Sequence, residues 1–346
     1  MNDILTVIKP KENQTGELIV ALFEYCNLSC QMCEQNHDDR SEINNVLKKL
    51  PSIIKSIDAL KNSGKVAISV NFMGGELLAD EVPDKVFDDY VTLMLAVREY
   101  IVSISLTSSL HIVTNLVWEK IDRVKTLINK TDTTLMVSYD PAGRFNFATF
   151  EVFKKNVVEF KEHIVQIGSV MTNPSMKKFM DQSVPFFDYL YNNFKVVFDH
   201  YTPVTFALDN SKLLKSTDLL MPTDVELREF HKFMIDNWPK CYPFNDFLVR
   251  DEQPMSCMST VTVLPTSAIH SCTVYDIKDK PNESTVVFFG KLADHKKQWL
   301  DDYDCLSCSY MQRCSFGCFL NHHNSNIRTQ ETCWLQQVYD YVEEKC

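Results

Sequence analysis

Cys26-Asn27-Leu28-Ser29-Cys30-Gln31-Met32-Cys33 sets three cysteines at CxxxCxxC spacing directly after an apolar run. Thiolates this close together can ligate three irons of a 4Fe–4S cube and leave the fourth iron without a protein ligand. The same spacing serves a zinc knuckle completed by a distant fourth ligand, for which His37 is a candidate. The other nine of the twelve cysteines run from Cys241 to Cys346. Cys241, Cys257 and Cys272 precede a block Cys305-x2-Cys308-x5-Cys314-x3-Cys318, and Cys333 and Cys346 follow it. Zinc ribbons use similar CxxC hooks, so spacing alone leaves this group open between zinc and further iron–sulfur clusters. A disulfide scaffold would staple the whole chain, whereas no cysteine lies between Cys33 and Cys241.

The first array needs a rigid seat, and the flanking sequence supplies one. Runs rich in Val, Ile and Phe at Glu17–Tyr25, Lys65–Phe72, Ser109–Thr114, Thr133–Tyr139, Val165–Met171 and Lys195–Tyr201 read as strands, several of them apolar throughout. Helical patterns alternate with them. Ser41–Asn62 carries Ile43, Val46, Leu47, Leu50, Ile54, Ile57 and Leu60 at helical spacing, with Pro51 expected to break the segment. Pro83–Ile101 reads as a helix with Pro at its start, and Thr223–Asn237 as another. Six β-then-α units in a row predict a parallel sheet with right-handed crossovers. They are fewer than the eight of a closed barrel, so the expected fold is α/β, a partial (β/α)6 barrel with a C-terminal cysteine-rich iron–sulfur domain. Chemistry in such sheets gathers at the C-terminal ends of the strands, where the CxxxCxxC loop falls. The expected division is an N-terminal extension over 1–16, the barrel over 17–205, a connector over 206–250 and the cysteine-rich domain over 251–346.

The 346-residue chain is 45% hydrophobic and 23% charged, the balance of a globular protein. Its formal net charge is −11, and its lysines and arginines gather into no stripe, which disfavours nucleic acid and anionic membranes as partners. Met1 to Gly16 lacks the apolar core of a signal peptide, and no stretch approaches the roughly 20 apolar residues that span a bilayer. A cytoplasmic, reducing compartment is therefore expected, where many cysteines more often mean metal than disulfides.

The array resembles the signature of the radical S-adenosylmethionine (SAM) enzymes, and further motifs follow in that family's order. Phe72-Met73-Gly74-Gly75-Glu76 resembles its GGE motif, Thr114-Asn115 and Ser138-Tyr139-Asp140-Pro141 resemble its next strand ends, and Arg144 stands where many members carry a basic residue. Departures are Met32 for an aromatic residue, Leu77 for Pro and Leu116 for Gly. The C-terminal block is similar to the seven-cysteine pattern of SPASM domains, with Ser267 where Gly is common.

The resemblance implies one catalytic 4Fe–4S cluster on Cys26, Cys30 and Cys33, and SAM held by Met32, Gly74, Gly75, Glu76, Asn115, Ser138, Asp140 and Arg144. For Arg144 a plain surface charge is the competing reading. The resemblance further implies two auxiliary 4Fe–4S clusters, with a single-cluster version as the alternative. Cys257, Cys272 and Cys318 would hold the inner one, with Cys241 as a possible fourth ligand or an open site; Cys305, Cys308, Cys314 and Cys333 would hold the outer one. Cys346 would be spare. The implied reaction is reductive cleavage of SAM to a 5′-deoxyadenosyl radical that takes hydrogen from a C–H bond, supplied by a low-potential donor such as flavodoxin or ferredoxin. A peptide or protein substrate is the first expectation. A small-molecule metabolite is the alternative, because only 25 residues precede Cys26, too few for a separate leader-binding domain. An iron–sulfur electron carrier without catalysis is a third possibility, disfavoured because a carrier needs no SAM pocket. His200 and Tyr201, at the end of the sixth strand, are candidates for proton transfer near the substrate, or simply cap the barrel rim.

Overall fold

The computed structural model describes residues 14–30, 32–33, 35–200, 220–248, 260–270, 300–301, 304–314 and 333–345. Tyr201, Cys257, Cys272, Cys318 and Cys346 lie outside them, as does the side chain of His200.

Eight strands form one sheet: β1 (Thr15–Ala21), β2 (Ala67–Met73), β3 (Thr107–Thr114), β4 (Thr134–Ser138), β5 (Ile164–Met171), β6 (Val196–His200), β7 (Thr260–Val263) and β8 (Ile269–His270). Their order is β6-β5-β4-β3-β2-β1-β7-β8. The first seven are parallel, and β8 turns back antiparallel on β7. The result is a curled half-barrel. The six strands read from sequence are present, each shifted by a few residues at its ends. β7 is an addition from the segment expected to belong wholly to the cysteine-rich region; it pairs with β1 from Glu17↔Thr260 to Val20↔Val263.

Nine helices are described: α1 (Leu50–Asn62), α2 (Asp84–Ser103), α3 (Ile121–Thr131), α4 (Phe147–Glu159), α5 (Asn173–Met180), α6 (Phe187–Asn193), α7 (Asp224–Asn237), α8 (Phe244–Leu248) and α9 (Trp334–Lys345). The segment divides at Pro51, as expected. A 3-10 turn over Ile43–Lys49 leads into α1, and Pro51 sits in the first turn, where a missing N–H costs nothing. Pro83 is the N-cap of α2. Capping boxes start α4 (Asn146 with Thr149) and α7 (Thr223 with Glu226). No described helix is long and apolar enough to cross a membrane.

The two faces of the sheet differ. Leu18, Val20, Val70, Ile112, Leu135 and Ile167 are buried under the helices. The alternate positions, among them Glu17, Asn71, His111 and Ser138, face the hollow of the half-barrel. Strands in this sheet are thus half polar, where the sequence reading took several as apolar throughout.

Candidate functional site

The loop after β1 carries Cys26, Cys30 and Cys33, and the end of β2 packs directly beneath it. Gly75 N donates to Phe23 O and Glu76 N to Tyr25 O, each at 2.8 Å, which carries the β1–β2 ladder into the cysteine loop. No side chain fits at this crossing. A Cβ on Gly75 would lie 1.7 Å from Tyr25 O, and one on Gly74 would lie 2.3 Å from Phe23 O. The GG pair is therefore required by the approach of two backbones.

Glu76 is buried and joins β2 to the end of β3. Its Oε1 accepts from Thr114 Oγ1 (2.8 Å) and Leu78 N (3.1 Å), and its Oε2 accepts from Asn115 N (2.6 Å). Burial pushes its pKa up to about 7, against the lowering effect of these donors and of Arg144. Asn115 passes the connection on. Its Nδ2 donates to Asn27 Oδ1 at 2.9 Å and approaches Cys26 Sγ at 3.8 Å, and its Oδ1 accepts from Val117 N at 2.7 Å. On the other side of the loop, Cys26 N donates to the carbonyl of His37 at 3.0 Å.

Asp140, just past β4, is buried and holds Arg144 by Nη2 (2.6 Å) and Nε (2.8 Å). Its other oxygen accepts from Val170 N at 2.8 Å. Arg144 is thus a largely buried, paired cation and not a surface charge. Burial would lower its pKa; Asp140, Cys30 and Cys33 override that and raise it. Its charge in turn lowers the Cys30 thiol, which burial raises. Burial, then the charge of Glu76, pushes Cys26 up to about 12.

Burial alone keeps these thiols protonated, and a bound metal ion would compensate the charge on their deprotonation. The donor set is soft and suits iron–sulfur or zinc. Among the described residues no three His, Cys, Asp or Glu side chains converge on one ion-sized position. The charges of Cys33 and Cys30 act on Cys26, so the three thiols are near enough to influence one another.

Beside the loop lies a cavity of about 290 Å³, lined by Met32, Pro141, Ala142, Gly143, Thr172, Pro174, Lys178 and Leu220. Of the sequence candidates, the structure brings together Cys26, Cys30, Cys33, Glu76, Asn115, Asp140 and Arg144, with Met32 on the cavity wall. Ser138 is the last residue of β4, on the hollow face.

No protein-family model matches the sequence, and no curated protein matches it. Solved structures do. The chain superposes on native anSMEcpe with bound AdoMet and Cp18Cys peptide with a TM-score of 0.60, at 16% identity, covering 96% of this chain and 97% of that one. Streptococcus suis SuiB bound to its precursor peptide SuiA gives a TM-score of 0.51 at 17% identity, covering 90% of this chain and 73% of that one. The chain has the radical SAM fold.

Against that fold, two of the sequence departures gain a physical meaning. Leu116 and Ser267, each standing where the family has or commonly has Gly, both adopt left-handed backbone, with φ of 56° and 67°. Glycine adopts this conformation without strain, whereas Leu and Ser do not. Neighbours hold it in place: Asn156 Nδ2 donates to the carbonyls of Leu116 (3.0 Å) and Trp118 (2.8 Å), and Ser52 Oγ donates to Ser267 O (2.8 Å).

The C-terminal cysteines are seated differently. Cys305 and Cys308 flank a short 3-10 turn, a second turn over Met311–Arg313 leads to Cys314, and Cys333 immediately precedes α9. The Tyr310 hydroxyl donates to Asp340 (2.7 Å) and Glu343 (2.9 Å), and Tyr339 OH donates to Arg313 O (2.8 Å), tying both turns to α9. Burial raises the Cys333 thiol, and the charge of Cys308 adds to the rise. α9 is fixed to the barrel through α7 and α8, with ring contacts His231–Trp334 (4.9 Å) and Phe247–Tyr339 (4.7 Å). Cys241 is buried in the hydrophobic core, and burial raises its thiol to about 12. No disulfide links one described cysteine to another.

The sequence did not reveal Asn27, Asn156 or the placement of Glu76 under β3. Each acts through a partner tens of residues away, and local pattern carries no trace of such a contact.

Proposed function

We propose that the protein is a radical SAM enzyme of the SPASM type that abstracts hydrogen from a C–H bond of a peptide or protein substrate, giving oxidation or a cross-link. One observation carries this reading: the Gly74-Gly75-Glu76 segment is docked under the Cys26 loop, with the ends of β3 and β4 brought to the same place. Cys26, Cys30 and Cys33 would hold a 4Fe–4S cluster with one open iron. Bound there, SAM and the reduced cluster would supply the 5′-deoxyadenosyl radical.

The chain's own residues do the positioning. Glu76 and Asn115 fix the loop so that the three thiols stay in place before any cluster is bound. The Arg144–Asp140 pair puts a positive charge beside Cys30 and Cys33, which favours thiolate and an anionic ligand group. The cavity beside Met32 lies at the small end of the range for small-molecule sites, and gives the nucleoside part of SAM a place to bury. The C-terminal cysteines would hold auxiliary clusters that take up the substrate's electron, with flavodoxin or ferredoxin as the outside donor. A peptide substrate is supported by the peptides bound to anSMEcpe and SuiB.

The test is 5′-deoxyadenosine release by anaerobically reconstituted, dithionite-reduced protein given SAM and host extract split by size. Stimulation by the macromolecular retentate is expected. Stimulation by the low-mass filtrate alone would replace the peptide with a metabolite. No release under any condition, with clusters intact, would remove the enzyme reading.

A further inference from the structure

The hollow of the half-barrel contains an acid that the mechanism above does not use. On β6, Phe198 faces the helices, packed at 5.0 Å from Phe179 and 5.2 Å from Phe244 between ring centroids. Alternation therefore turns the next residue, Asp199, into the hollow. Solvent reaches Asp199, yet the barrel walls surround it. Among the described residues no donor reaches its carboxylate. Desolvation within the hollow, then the negative charges of Glu17 on β1 and of Asp140, push its pKa up to about 6. Asp140 is already paired with Arg144. Glu17 accepts from Asn71 Nδ2 (2.8 Å) and Thr260 Oγ1 (3.0 Å), two neutral donors that fix its position and leave its charge uncompensated.

A second, independent sign lies on β7. Thr262 shares a face with Thr260 and pairs with Ile19, two residues beyond Glu17. It is fully buried, and among the described residues its hydroxyl has no hydrogen-bond partner. Buried hydroxyls are rarely left so, and one in a polar hollow marks a place for a ligand group. The hollow thus offers two uncompensated carboxylates and a free hydroxyl. Among the described residues it has no three converging ligands for a bare metal ion. That set matches a protonated amine or a guanidinium, whose several N–H groups need several acceptors around one positive charge.

We propose that Asp199 and Glu17 select a substrate bearing a cationic side chain, a lysine or arginine of a peptide whose head enters the hollow while its methylene carbons lie nearer the cysteine loop. This deepens the reading given under Proposed function and rests on it for the chemistry, not for the binding.

The test separates the two. Fluorescently labelled short peptides, identical except for a central lysine, arginine, norleucine or citrulline, are titrated by anisotropy into the reconstituted protein with SAM and no reductant. Lysine or arginine is expected to bind at least about tenfold more tightly than its neutral counterpart. Asp199→Asn is expected to bring the two within about twofold, and Asp199→Glu to keep the preference. Equal affinity of lysine and norleucine peptides for the native protein, including none for either, overturns the inference, as does a preference that survives Asp199→Asn. Should Asp199→Asn fail to fold, the native comparison decides alone. Reductant is then added and 5′-deoxyadenosine measured. A lysine preference without release would leave the cation-binding hollow and remove the radical reading. Release with equal binding would do the reverse.

Discussion

The two cysteine-bearing regions are held by different means. Cys26, Cys30 and Cys33 ride on a loop fixed by the backbone ends of β1, β2 and β3, with the buried Glu76 carboxylate at the junction. Cys305, Cys308 and Cys314 ride on short turns fixed by side chains of one helix, chiefly Tyr339, Asp340 and Glu343. Backbone crossings hold a geometry more tightly than partly exposed side chains, whose ordering costs rotamer entropy and whose ion pairs are screened. The first region is held by the sheet itself. The second depends on the docking of α9.

Substitutions should separate them. Cys30→Ala should lower SAM cleavage at least about a hundredfold, because a lost ligand costs more than the ten to a hundredfold typical of outer-shell changes. Cys308→Ala should lower iron content, measured on the anaerobic protein, and substrate conversion, while uncoupled SAM cleavage stays within about fivefold of native. Equal loss of uncoupled cleavage in both would erase the distinction.

Gly75→Ala should destabilise the protein by about 3–5 kcal/mol in denaturant unfolding, since the new methyl would fall on Tyr25 O. Gly168→Ala is its control. There the Cβ meets only Val137 O at 3.8 Å, and the change should stay within about 1 kcal/mol.

Glu76→Gln should cost about 1–3 kcal/mol, because an amide N–H would then oppose a donor. Its pH dependence has a definite sign. The folded pKa is raised from 4.5 to about 7, so between those values the folded state holds a proton that the unfolded state lacks. Stability of the apoprotein should therefore fall as pH rises through that window, and Glu76→Gln should flatten the fall.

The two left-handed residues should respond with opposite signs. Ser267→Gly should stabilise by about 0.5–1 kcal/mol, relieving φ strain with little lost contact. Leu116→Gly should destabilise, since the relief of about 1–2 kcal/mol is outweighed by a fully buried leucine worth about 3–5 kcal/mol with its cavity. Thermal unfolding of the pair reads both signs.

Much of this was legible in the sequence because it is local. The runs at Val165–Met171 and Thr133–Tyr139 announce strands through their own side chains, and Thr223-x-x-Glu226 announces a helix start. The cysteine spacing is likewise a local fact. What escaped is set by distant partners. β7 has four residues, two of them valine, in a stretch marked by cysteines, and only β1 makes it a strand. The polar face of β1 and β2 was hidden because Glu17 and Asn71 satisfy each other across strands that the sequence separates by fifty-four positions.

The most direct test of the central claim is the electron paramagnetic resonance spectrum of the reduced, reconstituted protein with and without SAM. The account predicts that SAM shifts the signal of one cluster, and that Cys30→Ala removes the shifted signal while the C-terminal signals remain. A spectrum unchanged by SAM in fully loaded native protein would contradict it, since no iron at Cys26, Cys30 and Cys33 would then be open.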